Sequence, residues 1–339
     1  MRKRYPKLTP AAWAAKIRAA QELAVPCRLC PRQCQVDRHT SRGYCGQGPL
    51  AVAHIQDHGG EEPFLVGGHG SAAFFFAGCN LGCIYCQNWE ISRGTLRKVQ
   101  HLTPAALAAQ FLAAQQRGCA NINLVTPTIF LPDILVAIQG AAKQGLTLPI
   151  VYNTSSYESP AALALLENVV DIYLADLKYD DKKIAQRLSG AADYPPVAQQ
   201  ALAIMQEQVG GLVWQTASGM GPSAAGELAA AKQLRRGLVV RHLVLPGQVL
   251  AAQRIAHWVQ SNLPQAYFSL LAQYDPPACL LAQKVAPELA ALHRRLTAAE
   301  YAAAWAAVKP GHRIGQELQA AASWTPHFAQ AGADKFKGH

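Results

Sequence analysis

The 339-residue chain carries 31 Lys and Arg against 21 Asp and Glu, a formal net charge of +10, and half of its residues are hydrophobic. That composition excludes a disordered chain, and the length can bury the core of one large α/β barrel with additions or of two average domains. Apolar runs such as AAFFFAG are too short to cross a bilayer and the start MRKRYPKLTP lacks the apolar region of a secretory leader, so a cytoplasmic protein without a membrane partner is expected.

Residues 1–42 hold ten Lys and Arg against Glu22 and Asp37, while the rest of the chain is nearly balanced. Such an arm attracts nucleic acid or an acidic partner, but no aromatics are interleaved at stacking intervals, and a solvated basic terminus is the simpler reading. The same region contains Cys27, Cys30, Cys34 and Cys45, spaced C-x2-C-x3-C-x10-C. Without a secretory leader a disulfide framework is not expected. Four thiols suffice to close a zinc site or to hold an iron–sulfur cluster completely, and so short a Pro/Gly-containing segment has little apolar area with which to fold alone. Both metals stay open: a cluster would relay electrons, whereas zinc would make a structural lid. His54 and His58 lie four apart, but Gly59 and Gly60 follow and the flanks read as strand, so solvated or core-satisfied histidines are expected rather than ligands. Cys119 and Cys279 stand alone in apolar surroundings and read as small buried residues.

From residue 71 onward short apolar runs alternate with alanine-rich stretches, the rhythm of βα units around a parallel sheet. The expected strands are Ser71–Phe76, Asn121–Val125, Pro149–Asn153, Asp171–Asp176, Gly237–Val244 and Tyr267–Leu271. Helices are expected over 104–117, 132–144, 160–168, 181–188, 196–208 and 250–262, with Thr103 before Pro104 and Ser159 before Pro160 as start signals. Six strands with six helices suggest a partial (β/α)6 barrel, although a doubly wound open sheet has the same one-dimensional pattern. The reading divides the chain into a basic N-terminal extension with the four-cysteine knuckle (1–70), a core (71–295) and a C-terminal helical extension and tail (296–339). Residues 217–232, rich in Gly and Ala, read as a mobile inserted loop.

In either architecture chemistry belongs at the carboxyl ends of the strands. The stretch AGCNLGCIYCQNWE, directly after the first strand, places Cys79, Cys83 and Cys86 within eight positions. A structural zinc would want four ligands, typically in two separated pairs. A compact triple beside Gly78 and Gly82, which let the backbone curl, suits instead a four-iron cubane with one iron left open for substrate or a second cofactor.

This stretch resembles the signature of radical S-adenosylmethionine (radical SAM) enzymes. The resemblance implies that the three cysteines hold a [4Fe–4S] cluster whose fourth iron is chelated by S-adenosylmethionine. It further implies that an electron cleaves the sulfonium to methionine and a 5′-deoxyadenosyl radical, which abstracts hydrogen from a substrate. Tyr85, before the third cysteine, would then lie near the adenine, or else fill core. With CRLCPRQCQVDR, GYCG, GGEEPFLVGGHGS, NINLVTPT, VYNTSSYE, DIYLADLKY and GLVVRHLVLPG, the chain is similar over roughly residues 25–275 to pyruvate formate-lyase activating enzyme-like proteins. That likeness implies that Asp176 binds a monovalent cation or orders the site, that Lys178 meets the methionine carboxylate, and that Asn153, Thr154 and Ser155 supply oxygen ligands or hydrogen bonds to it. Arg241 would approach the adenosyl moiety. Many relatives carry Gly-Gly-Glu after the second strand, touching the methionine amino group; here VTPT stands there, and Thr126 is the substitute. GGEE at 59–62 precedes the cysteine loop and so does not occupy that motif's usual position.

The resulting expectation is a radical SAM oxidoreductase, supplied by flavodoxin or ferredoxin, that takes hydrogen from a protein substrate and activates a glycyl radical enzyme. Modification of another peptide or a small molecule is the enzymatic alternative, and a zinc-bearing nucleic-acid-binding module the non-enzymatic one.

Overall fold

The computed structural model describes residues 5–66, 70–93, 99–216 and 232–308; of the expected loop at 217–232 all but Lys232, which begins a strand, lies outside them, as does the tail from 309. Its strands are β1 (Ala51–His58), β2 (Ser71–Phe76), β3 (Gln100–His101), β4 (Ile122–Val125), β5 (Ile150–Thr154), β6 (Ile172–Asp176), β7 (Val213–Thr216), β8 (Lys232–Leu243) and β9 (Tyr267–Leu271). The helices are α1 (Pro10–Ala24), α2 (Pro63–Val66), α3 (Trp89–Ser92), α4 (Pro104–Gln116), α5 (Leu131–Lys143), α6 (Pro160–Leu166), α7 (Lys182–Ser189), α8 (Tyr194–Val209), α9 (Val249–Asn262), α10 (Ala278–Leu281) and α11 (Ala298–Trp305).

The six strands expected from residue 71 onward are β2, β4, β5, β6, β8 and β9, and they pair in that order, all parallel. Strands buried on both faces read as continuous apolar runs, which is why they were visible. Their connecting helices start where side chains can satisfy free amides: Thr103 Oγ1 accepts from Ala106 N at 3.1 Å, and Ser159 Oγ from Ala162 N at 3.2 Å. On one side β1 pairs antiparallel with β2, and β3 with β1; on the other β7 pairs antiparallel with the first half of β8. The result is an open, mostly parallel sheet, consistent with an incomplete barrel. By occupying the outer edge of β2, β1 takes the place where a closing strand would pair.

Cross-strand register sorts the two faces. Val151, Ile172, Leu174, Val239 and Tyr267 form one buried cluster with Phe64 and Leu65 of α2. Phe64 is 2 % exposed and lies 4.9 Å from the Tyr267 ring. The segment after β1 therefore folds back and plugs the inner face of the sheet. Because side chains alternate along a strand, residues two further along share that face: Asn153 beyond Val151, Asp176 beyond Leu174 and Arg241 beyond Val239. The apolar plug below and the polar groups above are consequences of one register.

The basic terminus is less solvated than its composition suggests. Lys16 Nζ donates to the carbonyls of Ala164 and Leu165 at 3.3 and 3.1 Å, while Arg38 is buried and Arg32 turns onto backbone carbonyls of two segments, at Asn80–Leu81 and Ser189–Gly190. Helix α1 packs on α5 and α6, and Tyr5, fully buried, donates to the carbonyls of Leu146 and Leu148 at 3.1 and 2.9 Å. His54 and His58 lie on a strand, bridged by Gln56 at 3.2 and 3.1 Å. Cys119 is buried as expected, but Cys279 is only half-buried, on the short α10.

Glu158 is sealed between elements: Thr128 Oγ1 and Thr154 Oγ1 both donate to its Oε1, and its Oε2 has no hydrogen-bond partner. Burial pushes this carboxyl from 4.5 up to about 7. The folded chain thus keeps a proton that the unfolded chain releases, so the stability contributed by the protonated group falls as pH rises from 4.5 through about 7. Glu158→Gln should remove that dependence. In urea unfolding, its stability relative to the parent chain should improve by roughly 3 kcal/mol between about pH 4.5 and pH 8.

Candidate active site

All eleven residues expected around the cofactor line a single cavity of about 290 Å³ at the carboxyl end of the parallel strands. Such a volume falls just below the range of about 300–1,000 Å³ common for small-molecule sites. The cavity is roofed by the loop after β2. Gly78 N donates to Ile91 O and Ile84 N to Leu188 O, both at 2.9 Å, which fixes the loop at each end. Gly78 and Gly82 adopt φ of +82° and +66°, a region costly for side-chain-bearing residues. Their neighbours give a second reason for glycine. A Cβ on Gly78 would lie 2.6 Å from Cys45 O, and one on Gly82 3.2 Å from the Tyr44 hydroxyl. Besides letting the loop turn, both glycines make room for the four-cysteine segment.

Cys79, Cys83 and Cys86 face this cavity. Burial raises the Cys79 thiol and pushes that of Cys86 up to about 12, so without metal both are neutral and a metal must displace their protons. Leu81 N donates to Cys79 Sγ at 3.4 Å, and Ser189 Oγ, itself 2.6 Å from the Tyr179 hydroxyl, donates to Cys83 Sγ at 3.1 Å. Among the described residues no three His, Cys, Asp or Glu side chains stand close enough to hold one metal ion. Cys79, Cys83 and Cys86 are the residues that would hold a polynuclear cluster here. Tyr85 is 5 % exposed, with its ring 6.3 Å from those of Tyr179 and Tyr274, so it both lines the cavity and packs core.

Opposite the thiols stands a charged network. Arg241 on β8 donates to Asp176 Oδ1 on β6 at 3.1 Å, to Asn153 Oδ1 on β5 at 2.8 Å and to Glu61 Oε2 at 3.1 Å. Lys178 Nζ donates to Asp176 Oδ2 at 2.7 Å, with both side chains about one-fifth exposed, so this is no surface ion pair. Burial would raise the Asp176 carboxyl, but Lys178 and Arg241 outweigh it and hold it below its ordinary value. Lys178 is raised above the usual lysine range, burial opposing and Asp176 and Cys83 prevailing.

The remaining expected residues divide. Ser155 lines the cavity, and its carbonyl accepts the Tyr194 hydroxyl at 2.8 Å. Thr154 also touches it, but its hydroxyl is directed to Glu158, as strand alternation from Asn153 requires. Thr126 is held at φ +57° with its N donating to Asn153 O at 2.9 Å, an uncommon conformation for a β-branched residue. The residue that sequence reasoning missed is Glu61. It belongs to GGEE, which precedes the cysteine loop in the chain, yet the fold-back carries its carboxylate onto the cavity wall, where Asn123 Nδ2 donates to it at 3.1 Å. Neighbouring Glu62 is buried beneath, and burial, opposed by Arg241, pushes its carboxyl up to about 7.

Two substitutions test this arrangement. Arg241→Ala leaves Asp176 and Glu61 without their shared cation and should cost about 3–5 kcal/mol in denaturant unfolding, with Arg241→Lys in between. Thr126→Gly should raise stability by about 1 kcal/mol by relieving the left-handed backbone, read as a higher denaturation midpoint.

Comparison with known proteins agrees with the geometry. The chain is 28 % identical over 290 residues to an uncharacterized protein of Methanocaldococcus jannaschii, a match covering 83 % of this chain and 74 % of that protein. Residues 74–220, which span the cysteine loop and strands β4 to β6, match the radical SAM superfamily. The match supports a radical SAM domain and thereby an enzyme of radical chemistry that uses a [4Fe–4S] cluster and S-adenosylmethionine.

Proposed function

We propose that this chain is a radical SAM oxidoreductase that takes a hydrogen atom from a protein substrate, with glycyl radical enzymes as the substrate class. The observation that carries the enzymatic part is one cavity with three thiols on its roof and Asp176, Lys178, Arg241 and Glu61 on its opposite wall. When bound, the cluster supplies one electron that splits the sulfonium of S-adenosylmethionine into methionine and a 5′-deoxyadenosyl radical.

The residues of the chain bind and orient. Cys79, Cys83 and Cys86 would hold three irons, and Ser189, donating to Cys83 Sγ, would stabilise negative charge on that sulfur. A zwitterionic methionine group needs both signs of charge close together. Both Lys178 and Glu61 line the cavity, and we assign Lys178 to the carboxylate and Glu61 to the ammonium, a role that VTPT cannot fill because it has no charge. Asp176 accepts from both Lys178 and Arg241, and we assign it ordering of the site. Asn153 fixes the Arg241 fork, Thr126 and Ser155 contribute backbone groups, and Tyr85 offers a ring for the adenine. The reading of the substrate as a protein rests on the likeness to activating enzymes and on a site at the open mouth of an incomplete barrel. The electron would come from a low-potential donor such as flavodoxin or ferredoxin. No helix among the described residues is long and apolar enough to cross a membrane.

Anaerobic, dithionite-reduced protein should convert S-adenosylmethionine to 5′-deoxyadenosine, and Cys83→Ala should lose both the iron of this cluster and that product. Retained cleavage by iron-quantified Cys83→Ala protein would sink the cysteine assignment. For the substrate class, incubation with a deuterated cell extract separated into macromolecules and small molecules should place deuterium in 5′-deoxyadenosine only with the macromolecular fraction. Label arising from the small-molecule fraction would redirect the assignment.

A further inference from the structure

The four-cysteine segment lies apart from the chemistry above, and its residues are arranged around a space of their own. Cys27, Cys30, Cys34 and Cys45 line one cavity of about 10 Å³. Between Val25 and Leu50 the backbone has no helix or strand; Cys27 N donates to Val36 O and Gln35 N to Cys27 O at 2.9 and 3.0 Å, and short turns make up the rest. Its turns pass through Gln33 and Gln35 at φ of +41° and +57°. So short a segment has little apolar area of its own with which to fold.

Tyr44 N donates to Cys34 Sγ at 3.3 Å. Two guanidinium groups border the same cavity. Arg38 is 8 % exposed, and its Nε is buried without a hydrogen-bond partner. A divalent ion or a cluster would bring the cationic charge that displaces the four thiol protons. No three of these thiols stand at the mutual spacing of a bound ion, so uptake of zinc would draw them inward, while a cluster would ask for the wider spacing.

The segment also grips the cysteine loop of the active site. Arg32 lies between Cys30 and Cys34 in the chain and donates to Asn80 O at 2.9 Å, Ser189 O at 2.9 Å and Gly190 O at 2.6 Å. Its guanidinium stacks 3.8 Å from the Tyr44 ring, whose hydroxyl donates to Leu81 O at 3.1 Å. Asn80 and Leu81 are the residues that follow Cys79, and Asn80 borders the four-thiol cavity as well. Thus whatever orders Cys30, Cys34 and Cys45 also orders the carbonyls between Cys79 and Cys83.

We propose that Cys27, Cys30, Cys34 and Cys45 hold a thiophilic metal centre, zinc or an iron–sulfur cluster, and that this centre seats the 79–86 loop through Arg32 and Tyr44. Only the second half rests on the reading of Cys79, Cys83 and Cys86 as cluster ligands.

The full chain carrying Cys79→Ala, Cys83→Ala and Cys86→Ala isolates the first half. Treated anaerobically with zinc(II), or with ferrous iron and sulfide, it should take up about one zinc or about four irons per chain. Adding Cys34→Ser should abolish that uptake. Uptake of neither metal by the triple variant, or uptake undiminished by Cys34→Ser, overturns the site. The unmutated chain gives the same count without any substitution: about four irons plus one zinc, or about eight irons, supports the centre, whereas about four irons and no zinc opposes it. For the second half, Arg32→Ala with all seven cysteines intact should keep the four-thiol metal. It should also shift the EPR spectrum of the reduced active-site cluster and speed its iron loss to a chelator several-fold. An unchanged spectrum together with unchanged chelation kinetics overturns the coupling.

Discussion

The fork of Arg241 is the interaction on which the mouth of this molecule depends. Its planar donors reach β5 through Asn153, β6 through Asp176 and the folded-back segment through Glu61. The planar guanidinium meets those three partners from fixed N–H directions, where an ammonium would be a compact charge on a flexible stem. Arg241 lies between those two carboxylates, and Lys178, on the free side of Asp176, helps hold the Asp176 carboxyl below its ordinary value. The cavity therefore presents paired groups of both signs.

That network needs a floor, and the floor is hydrophobic. Phe64 and Leu65 fill the inner face among Val151, Leu174, Val239 and Tyr267, directly below Glu61 and Glu62. The short segment from Gly59 to Val66 consequently has two tasks: it closes the wide end of an incomplete barrel with apolar side chains, and it delivers carboxylates to the layer above. Buried acid in such a place is costly unless paired. Pairing with Arg241 is what makes the insertion tolerable.

Much of the fold was legible because the parallel strands are apolar throughout and their helices begin at Thr103–Pro104 and Ser159–Pro160. β1 was not, since AVAHIQDH mixes apolar and polar residues and finds its partner in an antiparallel neighbour. The cysteine triple, Asn153, Asp176, Lys178 and Arg241 were legible as polar or thiol side chains at or just beyond strand ends. The direction of Thr154 was not legible, because a single step along a strand reverses the face. Glu61 escaped for another reason: chain order put it before the loop, and only the three-dimensional return of α2 into the sheet brings it to the site. The basic charge of the terminus misled in the same way, as Lys16, Arg32 and Arg38 serve carbonyls inside the molecule.

β1, by lying along β2, leaves the two ends of the parallel array unable to zip together. Across the carboxyl end of that opening, Gln87 Nε2 donates to Gln273 O at 3.0 Å, joining the residue after Cys86 to the segment after β9. A latch of one amide hydrogen bond is worth about 1 kcal/mol. That bond can open while every ladder of the sheet stays intact. The width of this seam is set by side chains and not by the folding of the strands.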